Sequence, residues 1–495
     1  MHFAPSKPTE SAGSIIPAVA LVAWFAMGAW LLELFVAYDW NHGLMRGTLL
    51  IAVAALAGIP ALAVALAPDL PWLAYIPQRS LGVFAVICVA LGFGYHLREG
   101  TQTLKMSFEQ QRVWLDQGEN TIRAIRLMLH GVNPYGNRTM LDPIYYDTAL
   151  GELAAKPSCA AAPVDTAALK ELSDQYWLDP VAHIAEMKRL FPQISDRPEC
   201  GHIRRDFESL GYKYGPLLLA IYFPFVATLG EPGIYVANLV LFAALSVLVW
   251  FIALRMAGGD LFLASLPFII LYGPEHIRWT TLCLSAIDLA PTLLAVLAFW
   301  SLFRSPRTDW MGNAILGLSI GAKVAPGIFF LPLLACSRPR DWSWLVIVLA
   351  TLTAPFLVWD ATGYFYNCVL FIFDRAPDST SPVYALGPAA AFATRAVVLV
   401  GLAGLAVYGH VRRWPAGMAL AFVTLAHLGA MGLSAAFHNN YLVWVVPLVG
   451  LWMLHTAMRA IGQGELSPHL STPVWRSLAL ASAYRRKLGQ DAPVS

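Results

Sequence analysis

Charge is what this chain has least of. Only 13% of its 495 residues are charged and 58% are hydrophobic, whereas soluble globular chains carry about 25% charged residues. Mean hydropathy is +0.58. A water-soluble domain is excluded on these grounds before any motif is read. The net charge of +2 offers no basic excess for nucleic acid, and none is expected as a partner. Also missing are a Gly-x-Gly-x-x-Gly turn after a strand, a P-loop, a His-Glu-x-x-His helix and a Cys-x-x-Cys pair. Their absence argues against a soluble nucleotide-binding domain and against the common metal-site signatures. No Asp-x-Asp pair occurs either, so the metal–nucleotide clamp of soluble sugar-nucleotide enzymes is absent. Any activated substrate should therefore sit in or near a bilayer. Cysteine is scarce. Cys88, Cys283, Cys336 and Cys368 lie in or near apolar runs, where cysteine packs as a small apolar residue. Cys159 and Cys200 lie in the polar segment, either as a disulfide or as two free thiols.

Long apolar runs are abundant. A run of roughly 20 residues crosses a bilayer as a helix, and about twelve candidates are present. They fall near 14–37, 47–67, 80–96, 215–230, 233–256, 260–274, 281–303, 312–335, 343–359, 386–408, 415–436 and 440–460. The first is too long for a removable signal peptide and has no small-residue cleavage site, so it is expected to stay as a span. The expected fold is an all-α polytopic membrane protein with four parts: 1–96 with three spans, a polar segment 97–214, a bundle 215–460 and a tail 461–495. The polar segment holds 16 of the 31 acidic residues and 14 of the 33 basic ones. Arg338 and Arg340, Arg412 and Arg413, and the tail residues Arg476, Arg485, Arg486 and Lys487 predict cytoplasmic loops. With twelve spans the segment 97–214 is then outside. Arg304 and Arg307 fit that count poorly, unless 312–335 is a re-entrant hairpin broken near Lys323 and Pro326.

The polar segment has its own pattern. Over 108–130 the residues Ile122, Ile125, Met128 and Leu129 fall on one helical face, with Glu119, Arg123 and Arg126 largely opposite. This predicts an amphipathic helix lying on the membrane surface, packed on the extramembrane fold, or both. A second helical stretch is expected over 166–190, interrupted at Asp179-Pro180. Within the spans, Lys323 and Arg395 are cations in apolar surroundings, and Asp288 is a lone acid. Intramembrane charges are costly and functional by default. Arg395 reads equally as a residue snorkelling to the headgroups, Lys323 as a cation facing a water-filled hairpin, and Asp288 as a ligand for a hydroxyl or a helix cap near Pro291. Glu275, His276 and Arg278 cluster in one loop and make only a weak metal set.

Five features occur in a telling order. Asp116 comes first, followed by a helical stretch to His130 and the turn Gly131-Val132-Asn133-Pro134-Tyr135. Next is Tyr212-Lys213-Tyr214-Gly215-Pro216, leading into an apolar run. The Lys323–Pro326 break follows. Last comes His438-Asn439-Asn440-Tyr441-Leu442-Val443-Trp444, ending at Pro447. In this order the chain resembles the GT-C fold glycosyltransferases, polytopic enzymes that take sugars from polyprenyl-phosphate carriers. It is most similar to the bacterial glycosyltransferase family 87, which includes mannosyltransferases of the cell envelope. The likeness spans most of residues 98–450. It departs in three ways: two extra spans precede the acidic loop, Gly215 replaces the first proline of a Tyr-Pro-Pro motif, and 137–210 is a long insertion.

The resemblance implies a GT-C-like bundle of about 10–12 transmembrane helices with a large extracytoplasmic loop containing amphipathic helices, in the bacterial cytoplasmic membrane. It implies an inverting transfer of a mannose-like or pentose sugar from a polyprenyl-phosphate donor to an envelope glycolipid or glycan. Asp116 would be the general base, with Glu119 in reserve; its other reading is a first-turn acid favoured by the helix dipole. Lys323, Arg395 and His438 would hold the lipid phosphate, and His438 could also assist the base or serve as a structural histidine at a helix start. Lys213 belongs to the substrate-binding set by its motif. Tyr135, Tyr214 and Tyr441 would line a sugar pocket, or sit as interfacial aromatics. No cofactor or metal is expected, because cationic side chains can neutralise the phosphate. Two rivals stand beside this reading. One is a secondary transporter or lipid flippase, though no repeat relates two halves of the chain. The other is an O-antigen ligase or polymerase, which would depend on outer-loop Arg and His.

Overall fold

A computed structural model describes residues 21–30, 32, 78–110, 113, 114, 116–136, 211–274, 279–304, 309–370, 387–414, 416–432 and 442–462. Every regular element among them is helical: α1 (Leu21–Trp30), α2 (Gln78–Gln110), α3 (Asp116–Leu129), α4 (Pro216–Leu229), α5 (Pro232–Met256), α6 (Leu261–Ser265) and α7 (Pro267–Tyr272), then α8 (Leu289–Arg304), α9 (Asp309–Ala322), α10 (Val324–Phe329), α11 (Ser343–Phe365), α12 (Gly387–Val411), α13 (Ala416–Gly432) and α14 (Leu442–Gly462). Single turns at Trp279–Cys283 and Tyr366–Leu370 are wound as π-helix, and Leu331–Cys336 as 3-10 helix. The expected helix over 166–190, Cys159, Cys200, Glu275, His276, Arg278, His438 and Tyr441 lie outside the described residues. Cys88, Cys283, Cys336 and Cys368 form no disulfide among the described residues.

Among the described residues, three helices are long and apolar enough to cross a bilayer: Ser80–Gln110, Pro232–Met256 and Pro339–Leu370. They are not equally enclosed. In the most apolar stretch of α5, 44% of residues are buried, against 11% for Ser80–Gln110 and 6% for Pro339–Leu370. The outer two show Phe84, Ile87 and Leu91, and Val346, Val358 and Trp359, on the surface. Water does not tolerate apolar faces of that extent, whereas acyl chains do. The described architecture, all-helical with three long apolar helices, fits a helical membrane protein.

Several predicted runs are interrupted. The run 260–274 splits into α6 and α7 at Pro267, which has no amide hydrogen for the i−4 carbonyl. The run 281–303 becomes α-helix only at Leu289, and the run 312–335 is broken at Lys323. At the polar segment the helical boundary also moves. α2 carries straight on past residue 97 to Gln110, about 50 Å in all at 1.5 Å per residue. Residues 108–110 therefore finish α2, and the amphipathic helix starts afresh at Asp116.

The core has two parts. The larger surrounds α14, in which Val443, Trp444, Val445, Val446, Leu448 and Val449 are all buried. The smaller gathers Ile122 and Ile125 of α3, Tyr135, Tyr212, the inner face of α4, Ile287, Ala322 and Tyr364. Thus α3 lies on the protein, seated on α4. Arg123 is buried in an ion pair with Glu119, and Arg126 pairs with Glu231 at the α4–α5 turn.

Irregular backbone inside such a bundle must find its hydrogen bonds within the protein. Asn238 of α5 does this for the stretch before α8. Its Nδ2 donates to the carbonyls of Thr281 (2.9 Å) and Ala286 (2.8 Å), and its Oδ1 accepts from the Tyr222 hydroxyl at 2.5 Å. Removing it takes a donor from two buried carbonyls and the acceptor from a buried phenol. Asn238→Ala is expected to cost roughly 2–4 kcal/mol, read as a lower unfolding temperature in detergent; an unchanged midpoint would refute the clamp.

Candidate functional site

The break at Lys323 follows from Pro326. In a continuous helix the amide of residue 326 would donate to the carbonyl of Ala322, and proline has no such hydrogen. Lys323 instead takes an extended conformation (φ −149°, ψ 112°). The freed Ala322 carbonyl accepts from the Gly215 amide at 2.9 Å. Glycine is required at 215 because a Cβ there would stand 2.0 Å from the Gly321 carbonyl oxygen. Proline, the residue of the resembled motif, would lose the donated hydrogen bond as well.

The Lys323 ammonium is turned inward. It forms an ion pair with Asp288, and the two side chains are 7% and 0% exposed. The Trp444 indole Nε1 donates to the same Asp288 oxygen at 2.6 Å. The ammonium lies 4.9 Å from the ring centre of Tyr214 and 5.2 Å from that of Trp444, a cation–π arrangement. It also reaches Gln117 Oε1 at 3.4 Å. Asp288 itself sits just before α8, and its carbonyl accepts from the Thr292 hydroxyl at 2.7 Å. Three residues upstream, Ser285 has φ +60°, the left-handed region that non-glycine residues seldom occupy. Both charged residues therefore stand at helix interruptions. Neither points into open water: Lys323 faces a carboxylate.

Two turns close over this pair. α3 ends at Gly131 (φ +70°), with the Val132 amide returning to the Leu127 carbonyl at 2.9 Å, a glycine-terminated helix end. Asn133 Oδ1 then accepts from the Tyr135 amide at 2.9 Å, a side-chain turn typical of Asn. The Pro134 carbonyl accepts from the Tyr212 amide at 2.9 Å, and the Tyr135 hydroxyl donates to the Tyr214 carbonyl at 3.0 Å. Asn367 Nδ2 donates to the Tyr135 carbonyl at 2.8 Å. Burial pushes the Tyr135 and Tyr212 phenols well above the usual tyrosine range, so both stay protonated. The Tyr135 ring packs edge-on against Tyr212, Phe356 and Tyr364 and is fully buried. It is a packing residue with no face left open.

The residues singled out from sequence are thus partly assembled. Asp116 opens α3, one residue before Gln117; its side chain, like that of Arg395 in α12, lies outside what is described. Glu119 is half-exposed and engaged with Arg123, pointing about 160° around the helix from Gln117 at 100° per residue. Tyr214 links Tyr135 to Lys323, through its carbonyl and its ring, and Lys213 lies beside it on the same turn. The partnership of Lys323 with Asp288, the indole donor and Gln117 was not read from sequence. One signal was available: two lone intramembrane charges of opposite sign invite pairing. Comparison of the chain with known protein families, with curated proteins and with solved structures finds no match.

The close approach of 211–215 to the break is testable. Gly215→Ala should destabilise by about 2 kcal/mol through overpacking, and Gly215→Pro by more because the donor is also lost. Thermal unfolding in detergent measures both, and wild-type stability in both variants would show that 215 does not lie on the break.

Proposed function

We propose that this protein is a polyprenyl-phosphate-dependent glycosyltransferase of the GT-C kind, similar to the bacterial family 87 enzymes and built as a bundle of about 10–12 membrane helices. The observation that carries the reading is convergence. Four features spread over more than 300 residues meet around one buried pair: the start of α3 at Asp116, the Asn133-Pro134-Tyr135 turn, the Tyr212–Gly215 turn, and the Lys323 break with Trp444. They are the sequence features on which the resemblance rests, and packing alone gives no reason for them to coincide.

In this reading the reaction takes place at the extracytoplasmic face of a bacterial cytoplasmic membrane. The isoprenoid tail lies against the apolar perimeter, and the sugar phosphate meets the polar segment. Asp116 accepts the proton of the acceptor hydroxyl as that oxygen attacks the anomeric carbon, and the lipid phosphate leaves with inversion. A developing phosphate charge needs fixed donors. Lys323 is already countered by Asp288, so Arg395 and His438 are the better phosphate holders. The acceptor is an envelope glycolipid or glycan.

One observation favours a second reading. A buried Lys–Asp pair between interrupted helices is also how secondary transporters build a coupled site at the bilayer midplane. The two readings part at Asp116, which a transporter does not need. Envelope lipids and glycans are compared by mass spectrometry in three strains: a deletion, the deletion carrying wild type, and the deletion carrying Asp116→Asn at equal protein level. Wild type should restore a product heavier by one sugar, and Asp116→Asn should lower it by about a hundredfold or more, the scale of a lost general base. Full restoration by Asp116→Asn would remove the base assignment. A glycan profile independent of the gene would favour transport.

A further inference from the structure

The first turn of α3 rests on both helix interruptions at once. Gln117 meets Lys323. Gly118 lies so close to Ser285 that a Cβ would stand 2.5 Å from its Oγ and 2.9 Å from its carbonyl oxygen. Asp116 directly precedes these two contacts. The interruptions belong to α8 and α9–α10, and the Asp288–Lys323 pair joins them side chain to side chain. Trp444, from the central helix α14, holds the carboxylate from a third direction. Thr121, one turn along α3 from Gln117, adds a contact of 3.3 Å to the Tyr212 hydroxyl.

We propose that Asp288 and Trp444, acting through Lys323, are positioning residues. They fix the surface on which the first turn of α3 stands, and so set the location of Asp116 without touching substrate. The functional consequence rests on the transferase reading above; the mechanical part does not. A pair kept for stability alone behaves differently. Replacing both members with apolar residues of similar volume removes two desolvation costs and is often neutral or stabilising. Such a replacement cannot restore the Lys323–Gln117 contact.

The test uses the full chain in nanodiscs of phosphatidylethanolamine and phosphatidylglycerol. Amide hydrogen exchange over residues 116–124 and thermal unfolding are measured there, and envelope glycan is measured in the complemented deletion strain. The variants are Asp288→Asn, Trp444→Phe, Gln117→Leu and the double Asp288→Leu/Lys323→Met. Gln117→Leu should unfold near the wild-type temperature and Trp444→Phe below it, because the buried carboxylate loses a donor; in both, exchange in the first turn of α3 rises about tenfold and glycan falls about tenfold, on the scale of one lost charge-assisted hydrogen bond. The double variant should regain the unfolding temperature lost by Asp288→Asn yet keep fast exchange and low product. A double variant restored in stability, exchange and product would overturn the proposal. If the charge variants do not accumulate, Gln117→Leu and Trp444→Phe decide, and wild-type exchange and product in both overturn it. Product lost with exchange unchanged in every variant also overturns it and leaves the transferase reading standing. Faster exchange beside a fully active Asp116→Asn removes the base assignment and keeps the positioning role.

Discussion

An ammonium and a carboxylate taken out of water together constrain everything around them. Each costs several kcal/mol to desolvate, and only close geometry with further hydrogen bonds offsets that cost. Here the offset comes from three other parts of the chain: the indole of Trp444, which both donates and offers its ring face, the side-chain amide of Gln117 and the ring face of Tyr214. The pair also has to be reached. A continuous helix would carry Lys323 past Asp288 on a fixed spiral, whereas the extended residue between α9 and α10 lets the side chain turn inward. The left-handed Ser285 does the corresponding work on the other side. The interruptions are therefore conditions of the ion pair, and the pair in turn holds two broken helices in one body.

Broken helices leave carbonyls and amides that lipid cannot satisfy, and the second level of the structure consists of the groups that do so. The Gly215 amide replaces the donor that Pro326 lacks. Asn238 serves two carbonyls of the stretch before α8. The phenols of Tyr135 and Tyr222 end on a carbonyl and an amide oxygen. Each group arrives on an element distant in sequence, so these local repairs are also the long-range ties of the fold. They explain why the Asn133-Pro134-Tyr135 and Tyr212–Gly215 turns lie against one another, and why α3, which might have lain flat on a bilayer, is instead clamped over the polar centre.

Around this centre the outer helices keep an apolar perimeter. The described residues thus combine a polar, hydrogen-bonded interior with a lipid-compatible shell. The positioning role follows from the seating of α3, whose first turn meets Lys323 and Ser285 directly after Asp116.

Much of this was legible in the residues. Hydropathy alone pointed to a helical membrane protein, and the described residues, helical in every regular element with three long apolar helices, fit it, since the demand for buried backbone hydrogen bonds leaves a long apolar run few alternatives. Proline and glycine chemistry marked the Lys323–Pro326 break and the end of α3 at Gly131. What remained hidden were the pairings. Asp288, Lys323, Gln117 and Trp444 come from four separate stretches of chain, and no periodicity reports a contact between them. The fate of Tyr135 was hidden for the same reason: an amphipathic ring serves equally well at an interface, in a pocket or in a core. The ends of the described helices were also decided late, because α2 outran its apolar segment and three runs broke where a side chain or a proline required it. The sequence by itself determined the solvent this protein lives in and the residue types it keeps in reserve. Only the tertiary structure decided which of those residues face one another, because a buried charge is tolerable only where the whole bundle brings it a partner.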